Sequence, residues 1–196
     1  MLTLSDEQTT NETCIHGHSL KSILQKMCRQ KRGSKAFKRS QSHRTNFINA
    51  SINKLDFSGI KQINLERIWN IGYKSKSSSL LSHWTNTTIR DKVQSKSTRD
   101  GVHLIEQDST YRSQRCSCCG MVRKNNRKGK TYTCYGCGYI GDSDVNAAKN
   151  HSIYLPEIPY KLRISKSNKS GFYWIEDGFF DLLGTSIESV PHVKDI

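Results

Sequence analysis

Four cysteines in the second half of the chain have the types and spacing of metal ligands. Cys116 and Cys119 form one Cys-x-x-Cys pair, and Cys134 and Cys137 form a second pair after fourteen intervening residues. Each pair predicts a tight turn that directs two sulfurs at one point, and a glycine directly follows each pair. Two such turns complete a closed tetrahedral site, which is typical of structural zinc. The alternative, two unrelated pairs of buried cysteines, leaves the two glycines unexplained, so we predict one structural Zn²⁺.

Three further cysteines bring the total to seven, an odd number that favours metal binding over a disulfide framework. Cys118 lies beside the ligands but out of register with both pairs, and we interpret it as a bystander. Cys14, His16 and His18 are candidates for a second metal site, although their spacing is poor. Metal-bound cysteines imply a reducing compartment, so we expect a cytoplasmic, nucleoid-associated protein.

The chain is strongly basic: 31 Lys and Arg residues outweigh 17 Asp and Glu residues and give a net charge of +14 over 196 residues. Residues 13–55 contain ten of these cations and no acid. Clustered cations repel one another and need counterions, which a nucleic-acid backbone supplies. The alternative is a solvated surface that happens to be basic. No apolar run is long enough to span a membrane, and the first residues do not form a secretory signal, so we expect no membrane partner.

A basic helical hairpin is predicted within about residues 18–56. Leu20, Ile23, Leu24 and Met27 recur at helical spacing, and a Gly-Ser break precedes a second helix predicted over 37–55. The cations that we predict to contact nucleic acid from this hairpin are Lys31, Arg32, Lys35, Lys38 and Arg39. The segment between the cysteine pairs also carries cations and no acid, and there we predict phosphate contacts by Arg123, Lys124, Arg127 and Lys128.

The rest of the chain predicts an α/β fold. A strand is predicted over 60–68, a loop over 73–79, a helix over 80–99 and a second strand over 102–106. A strand, a helix and a strand in this order indicate a βαβ unit. Beyond the cysteines, the pattern predicts one more helix over 144–151.

Three segments then resemble a known family. Tyr111-Arg-Ser-Gln-Arg-Cys-Ser-Cys-Cys-Gly, Tyr132-Thr-Cys-Tyr-Gly-Cys-Gly and Asp142-Ser-Asp-Val-Asn-Ala-Ala-Lys-Asn are similar to the C-terminal part of the TnpB proteins. These proteins, also called OrfB, are assigned as transposases of insertion sequences. They are RNA-guided DNA nucleases and relatives of the compact type V CRISPR effectors. The basic hairpin and Ile63-Asn-Leu-Glu66-Arg-Ile are similar to the family's upstream segments.

The resemblance implies an incomplete RNase H-like, RuvC-type domain with an inserted four-cysteine zinc ribbon. It places the partial RuvC-like domain at 1–110, the ribbon at 111–141 and the last RuvC-like segment at 142–160. We expect the tail at 161–196, basic at first and then acidic, to be flexible.

The family's chemistry implies three carboxylates that hold two divalent cations, Mg²⁺ being the family's catalytic metal, to activate water and stabilise the leaving oxygen. Two of them have counterparts here, Glu66 at the end of a strand and Asp144 at the start of a helix. The alternative for Glu66 is an ordinary strand-end acid, and the alternative for Asp144 is a helix N-cap.

The third carboxylate, which the family carries in a segment reading roughly Gly-Ile-Asp-x-Gly, has no counterpart, because Asp6 fits a turn. We therefore expect a fragment that binds DNA or RNA and zinc but is inactive alone. The alternatives are a stand-alone, catalytically dead nucleic-acid-binding protein and half of a split nuclease completed by a second chain. Guide RNA is a further expected partner.

Overall fold

The structure, a computed structural model, describes residues 2–10, 13–67, 86–164 and 170–187. They divide into two compact units, one built from residues up to 108 and the other from residue 109 onward together with residues 4–6. Among the described residues, no helix combines the length and the apolar character needed to cross a membrane. The elements, in chain order, are α1 (Leu20–Cys28), α2 (Lys35–Asn53), β1 (Gln62–Arg67), α3 (Asn86–Arg99), β2 (His103–Asp108), β3 (Met121–Val122), a 3₁₀ turn (Lys124–Asn126), β4 (Arg127–Lys128), β5 (Thr131–Thr133), β6 (Ile140–Asp142), α4 (Ser143–Ser152), α5 (Tyr160–Ile164), β7 (Phe172–Ile175) and β8 (Gly178–Phe180).

The predicted helical hairpin is present as α1 and α2. Each helix begins at a serine N-cap: Ser22 N–H donates to Ser19 Oγ at 3.2 Å, and Phe37 N–H donates to Ser34 Oγ at 3.1 Å. A serine cap satisfies a backbone donor that the first helical turn leaves unpaired. The second helix therefore starts at residue 35, two residues before the predicted start.

One hydrophobic core joins the hairpin to α3. Ile89 and Val93 of α3 are buried, and they belong to the same apolar cluster as the inward faces of α1 and α2. The hairpin residues of this cluster are Leu20, Ile23, Leu24, Met27, Phe37, Phe47, Ile48 and Ile52. The predicted loop at 73–79 and the predicted helical residues 80–85 lie outside the described residues.

The two strands of the first unit form a parallel pair, which confirms the α/β prediction. In this register Glu66 lies opposite Gln107, and Arg67 lies opposite Asp108. A short turn connects the end of α3 at Arg99 to the start of β2 at His103, and in this turn Val102 N–H donates to the Ser97 carbonyl at 2.8 Å. Near the start of the chain, Thr3 and Thr9 form an antiparallel bridge with Asp6 in the turn between them, as expected for a turn residue.

The second unit contains two three-stranded sheets, with strand orders β4-β5-β6 and β3-β7-β8. The second sheet includes residues of the segment that we expected to be flexible. Phe172 and Trp174 alternate with half-buried neighbours on β7, and they pack with Phe179 of β8 in a core that also contains Val122 and Leu155. Residues 170–187 thus differ from the predicted flexible tail, because alternating aromatic residues stabilise a hairpin within an otherwise acidic segment.

Candidate metal centre and nucleic-acid interface

The four predicted cysteines converge on one point. Their sulfurs all lie within 4.8 Å of one another, with Cys116 Sγ 3.7 Å from Cys137 Sγ and Cys119 Sγ 3.6 Å from Cys134 Sγ. Four thiolates about 2.3 Å from a central zinc would be spaced about 3.8 Å apart along each tetrahedral edge. The sulfurs therefore fit a structural zinc ion, as the sequence predicted. Cys118 is exposed and is not one of the four.

The two cysteine turns repeat the same backbone geometry. Cys116 N–H and Cys134 N–H each donate 2.8 Å bonds to the carbonyl five residues on, and the glycine after each pair donates at 3.0 Å to the carbonyl of that pair's first cysteine. Gly120 and Gly138 adopt φ angles of +81° and +73°, which only glycine adopts readily. Around Gly120 a side chain is also excluded, because an added Cβ would lie 2.9 Å from the carbonyl oxygen of Trp174.

The thiols differ in how readily they ionise. Burial raises the pKa of Cys116 well above its usual value and raises that of Cys119 to about 11. The pKa of Cys137 is lowered to about 7, chiefly by the backbone N–H of Tyr139. Because zinc binds thiolates, binding here would displace the protons that Cys116 and Cys119 hold at neutral pH.

Helix α4 is bound to the first cysteine turn by two asparagines that are fully buried. Asn146 accepts from Ser117 N–H at 2.9 Å and donates to the Arg115 carbonyl at 2.8 Å. Asn150 donates to the carbonyls of Arg112 and Arg115. Each amide matches a donor or acceptor of the turn, so the asparagines of the Asn-Ala-Ala-Lys-Asn run position the metal ligands. Composition and periodicity gave no sign of this role.

Arg115 places a buried cation beside the cysteines. Its Nε donates to the Trp174 carbonyl at 2.7 Å, and its Nη1 donates to Asn150 Oδ1 at 2.6 Å. Burial lowers the pKa of this guanidinium, whereas ionised Cys116 and Cys119 would raise it. A zinc ion with four thiolates has a net charge of about −2, so the buried guanidinium would offset part of that charge.

The two acids at the start of α4 have different partners, and the N-cap is not Asp144. Asp142 is the N-cap, and its Oδ1 accepts from the backbone N–H groups of Asp144 and Val145 at 2.8 and 3.1 Å. Asp144 is therefore not a cap. Its carboxylate accepts from Arg127 Nη2 at 3.0 Å and from Lys130 Nζ. Burial raises the pKa of Asp144, but its pairing with Lys130 and Arg127 leaves the pKa below its usual value.

Glu66 lies in the first unit, on the exposed end of β1. The next residue, Arg67, forms an ion pair with Glu106 of β2 at 3.7 Å, and Arg90 of α3 pairs with the same carboxylate at 3.3 Å. Arg67 thus links the two strands through this ion pair. Glu66 belongs to the first compact unit and Asp144 to the second.

The predicted hairpin cations lie on the surface. Lys31, Arg32, Lys35, Lys38 and Arg39 are all exposed. On the ribbon, Lys124 and Lys128 are exposed, whereas Arg127 is half-buried against Asp144. Arg123 is also half-buried, with its guanidinium carbon 4.0 Å from the centroid of the Tyr135 ring. The four ribbon cations predicted to contact phosphate thus divide into two exposed side chains, Lys124 and Lys128, and two that have partners within the protein.

The candidate second metal site is not assembled. Cys14 Sγ lies 3.6 Å from His43 Nε2, and the rings of His18 and His43 are 5.6 Å apart. Among the described residues, only the four ribbon cysteines bring three or more ligand atoms within 4.8 Å of one another.

Comparison with known proteins finds a family model that covers the ribbon. A family model described as "Cas12f1-like, TNB domain" matches residues 87–151. The CRISPR-associated endodeoxyribonuclease Cas12f1 of Sulfoacidibacillus thermotolerans is 37% identical over 101 residues, which cover 51% of this chain and 23% of that protein. The protein of the same name from Syntrophomonas palmitatica is 27% identical over 124 residues, covering 63% of this chain and 24% of the relative. The chain thus spans about a quarter of the length of these relatives.

Among solved structures, a cryo-EM structure of a Cas12f1-sgRNA-target DNA complex aligns with a TM-score of 0.50 at 21% sequence identity, covering 60% of this chain and 35% of that one. At 21% identity this alignment supports the α/β fold alone. The similarity to the Cas12f1 proteins rests on the sequence matches. Residues 87–151 thus match a Cas12f1-like TNB domain, and the sequence similarity to the Cas12f1 proteins extends over about half of the chain.

Proposed function

We propose that the chain is part of a transposon-associated, RNA-guided DNA endonuclease of the TnpB type and that its own contribution is to bind nucleic acid. The observation that carries this proposal is the ribbon. Its four sulfurs are spaced as zinc ligands, and the match to the Cas12f1-like model covers it completely. The relatives are named as endodeoxyribonucleases, and the similar solved structure is a complex with guide RNA and target DNA, which supports both as partners.

In this proposal zinc has a structural role. Four thiolates fill its tetrahedral coordination and leave no position for water or substrate. The ion would fix the two cysteine turns, and through Asn146 it would fix α4 as well. Binding would then depend on the exposed cations of the hairpin and of the ribbon, which contact phosphates without reading sequence.

Catalysis is a separate part of the proposal. If the fold is RuvC-like, Glu66 and Asp144 are the carboxylates that would hold Mg²⁺, which would activate water for phosphodiester cleavage. Asp144 does not fit that role as it stands, because Arg127 and Lys130 pair with its two carboxylate oxygens. Those cations compete with a divalent ion for the same oxygens.

We therefore propose that these 196 residues alone do not cleave DNA. The third carboxylate of the family pattern has no counterpart among them. The negative charge of Asp144 is already paired with the cations of Arg127 and Lys130. A second chain that supplied the missing carboxylate would complete a split nuclease. A protein that binds nucleic acid without such a partner would be a stand-alone binder.

The test of this function uses zinc-loaded protein with single-stranded DNA, duplex DNA and RNA, each with and without Mg²⁺. We expect retarded mobility of the nucleic acid in gels and no cleavage. Absence of binding would contradict the nucleic-acid role. Mg²⁺-dependent cleavage that Asp144→Ala abolishes would contradict the proposed inactivity and would identify Asp144 as a ligand in an active site.

A further inference from the structure

A single exposed aromatic side chain projects from the second cysteine turn. Tyr135 lies between Cys134 and Cys137, and it is 75% exposed. Exposure alone does not distinguish it, because Tyr154 is 80% exposed. Two other features do distinguish it: a fixed backbone and a cation held against its ring.

A hydrogen bond to a buried side chain fixes the backbone of Tyr135. Its N–H donates to Asn126 Oδ1 at 3.2 Å, and the amide of Asn126, which is 2% exposed, also donates to the Tyr132 hydroxyl at 3.2 Å. The next residue, Gly136, lies against the core of the ribbon, where an added Cβ would be 2.9 Å from Met121 Sδ. The ring therefore stands on a rigid turn, and a ligand that contacts it loses little conformational entropy from the protein.

Arg123 supports the ring. Its guanidinium carbon lies 4.0 Å from the ring centroid, within the range of a cation–π interaction. Its Nε is buried and has no hydrogen-bond partner among the described residues, and the ring of Tyr135 is the contact that the guanidinium makes. One face of the ring is thereby covered by a cation, while most of its surface remains open to solvent.

We propose that Tyr135, supported by Arg123, is a stacking platform for an unpaired nucleobase. Aromatic side chains beside cations are the elements with which proteins bind single-stranded nucleic acid, since every base offers a π-face and every phosphate a negative charge. The exposed side chains of Lys124 and Lys128 on the same ribbon supply further positive charge. In a duplex the bases are already stacked, so the platform selects single strands.

This inference rests on the proposed nucleic-acid function, and its test separates the two. The probe is a short single-stranded DNA that contains 2-aminopurine, whose fluorescence is quenched when the base stacks. Zinc-loaded protein should quench the probe. Tyr135→Ala should remove the quenching and weaken single-strand binding about 5-fold or more, since one base–aromatic stack contributes on the order of 1–3 kcal/mol.

Matched variants keep the result interpretable. Tyr135→Phe should retain quenching because the ring alone stacks, and Tyr154→Ala should bind like the parent protein. Zinc content is measured for every variant. If the parent binds but Tyr135→Ala behaves like Tyr154→Ala, the stacking platform is wrong and the proposed function stands. If the parent protein binds no nucleic acid at all, both are overturned.

Discussion

Arg127 donates from Nη2 to Oδ1 of Asp144 at 3.0 Å, and this pair joins the ribbon to the carboxylate that the family resemblance assigns to catalysis. Both side chains are about one-third exposed, so solvent screens the interaction. We expect a double-mutant cycle of Arg127→Ala and Asp144→Ala to give a coupling energy of about 0.5–1 kcal/mol in the free energy of unfolding.

The same cycle with Lys128→Ala is the control, because Lys128 lies on the same short strand, β4, and is exposed. Its coupling to Asp144 should be smaller. Equal coupling for Arg127 and Lys128 would mean that Asp144 responds to the general positive charge of the ribbon and forms no specific pair.

The cysteine cluster predicts one zinc ion per chain. Cys134→Ser should lose the metal and unfold the ribbon, since metal binding and folding are coupled in four-thiolate sites. Cys118→Ser should keep the metal, because Cys118 is not one of the four converging sulfurs. Elemental analysis of the purified proteins measures both. Zinc-free parent protein, or equal metal loss in the two variants, would contradict the assignment.

The buried asparagines of α4 should contribute to the stability of the folded protein. Asn146→Ala removes the acceptor of Ser117 N–H, whereas the Arg115 carbonyl keeps its bond from Asn150, and a buried unpaired polar group costs about 1–3 kcal/mol. We expect a loss of that size in denaturant unfolding of the zinc-loaded protein. Asn125→Ala, on an exposed part of the ribbon, is the control. An unchanged midpoint for Asn146→Ala would show that α4 is held in some other way.

The β7–β8 hairpin should be required for the stability of the second unit. Phe172 is 1% exposed, so Phe172→Ala should destabilise the protein by about 3–5 kcal/mol through lost burial and the cavity left behind. Leu183 is 92% exposed, and Leu183→Ala should change stability by less than about 0.5 kcal/mol. The melting temperatures of the two variants in thermal unfolding measure this difference in stability. Similar melting temperatures would support the flexible tail that the sequence suggested.

The sequence predicts well those features that depend on spacing along the chain. Leu20, Ile23, Leu24 and Met27 form one face of α1 because the helical repeat brings them together. The four cysteines were equally predictable, since each Cys-x-x-Cys pair closes its own turn and carries its own glycine.

Features that depend on contacts distant in sequence were not predictable in this way. Asn146 binds a turn about thirty residues earlier, and no periodicity marks it. The choice of Asp142 over Asp144 as the N-cap depends on where β6 ends, which composition does not specify. The acidic residues of the tail also concealed the alternation of Phe172 and Trp174, whose burial depends on β3 as a pairing partner.

The basic hairpin should supply much of the affinity for nucleic acid. Lys35 and Lys38 are exposed on α2. The double variant Lys35→Ala/Lys38→Ala should bind all sequences more weakly and should depend less steeply on salt, because fewer counterions are released. Lys61→Ala/Lys92→Ala removes two exposed cations elsewhere in the same unit and should have a smaller effect.

The most direct test of the nucleic-acid role is the affinity of the zinc-loaded chain for a labelled single strand, measured by fluorescence anisotropy over a series of NaCl concentrations. We predict a linear fall of log K with log salt, with a slope of about −0.7 for each phosphate contact on a single strand. The slope should become shallower in Lys35→Ala/Lys38→Ala. No binding at low salt, or an affinity that does not change with salt, would contradict the account.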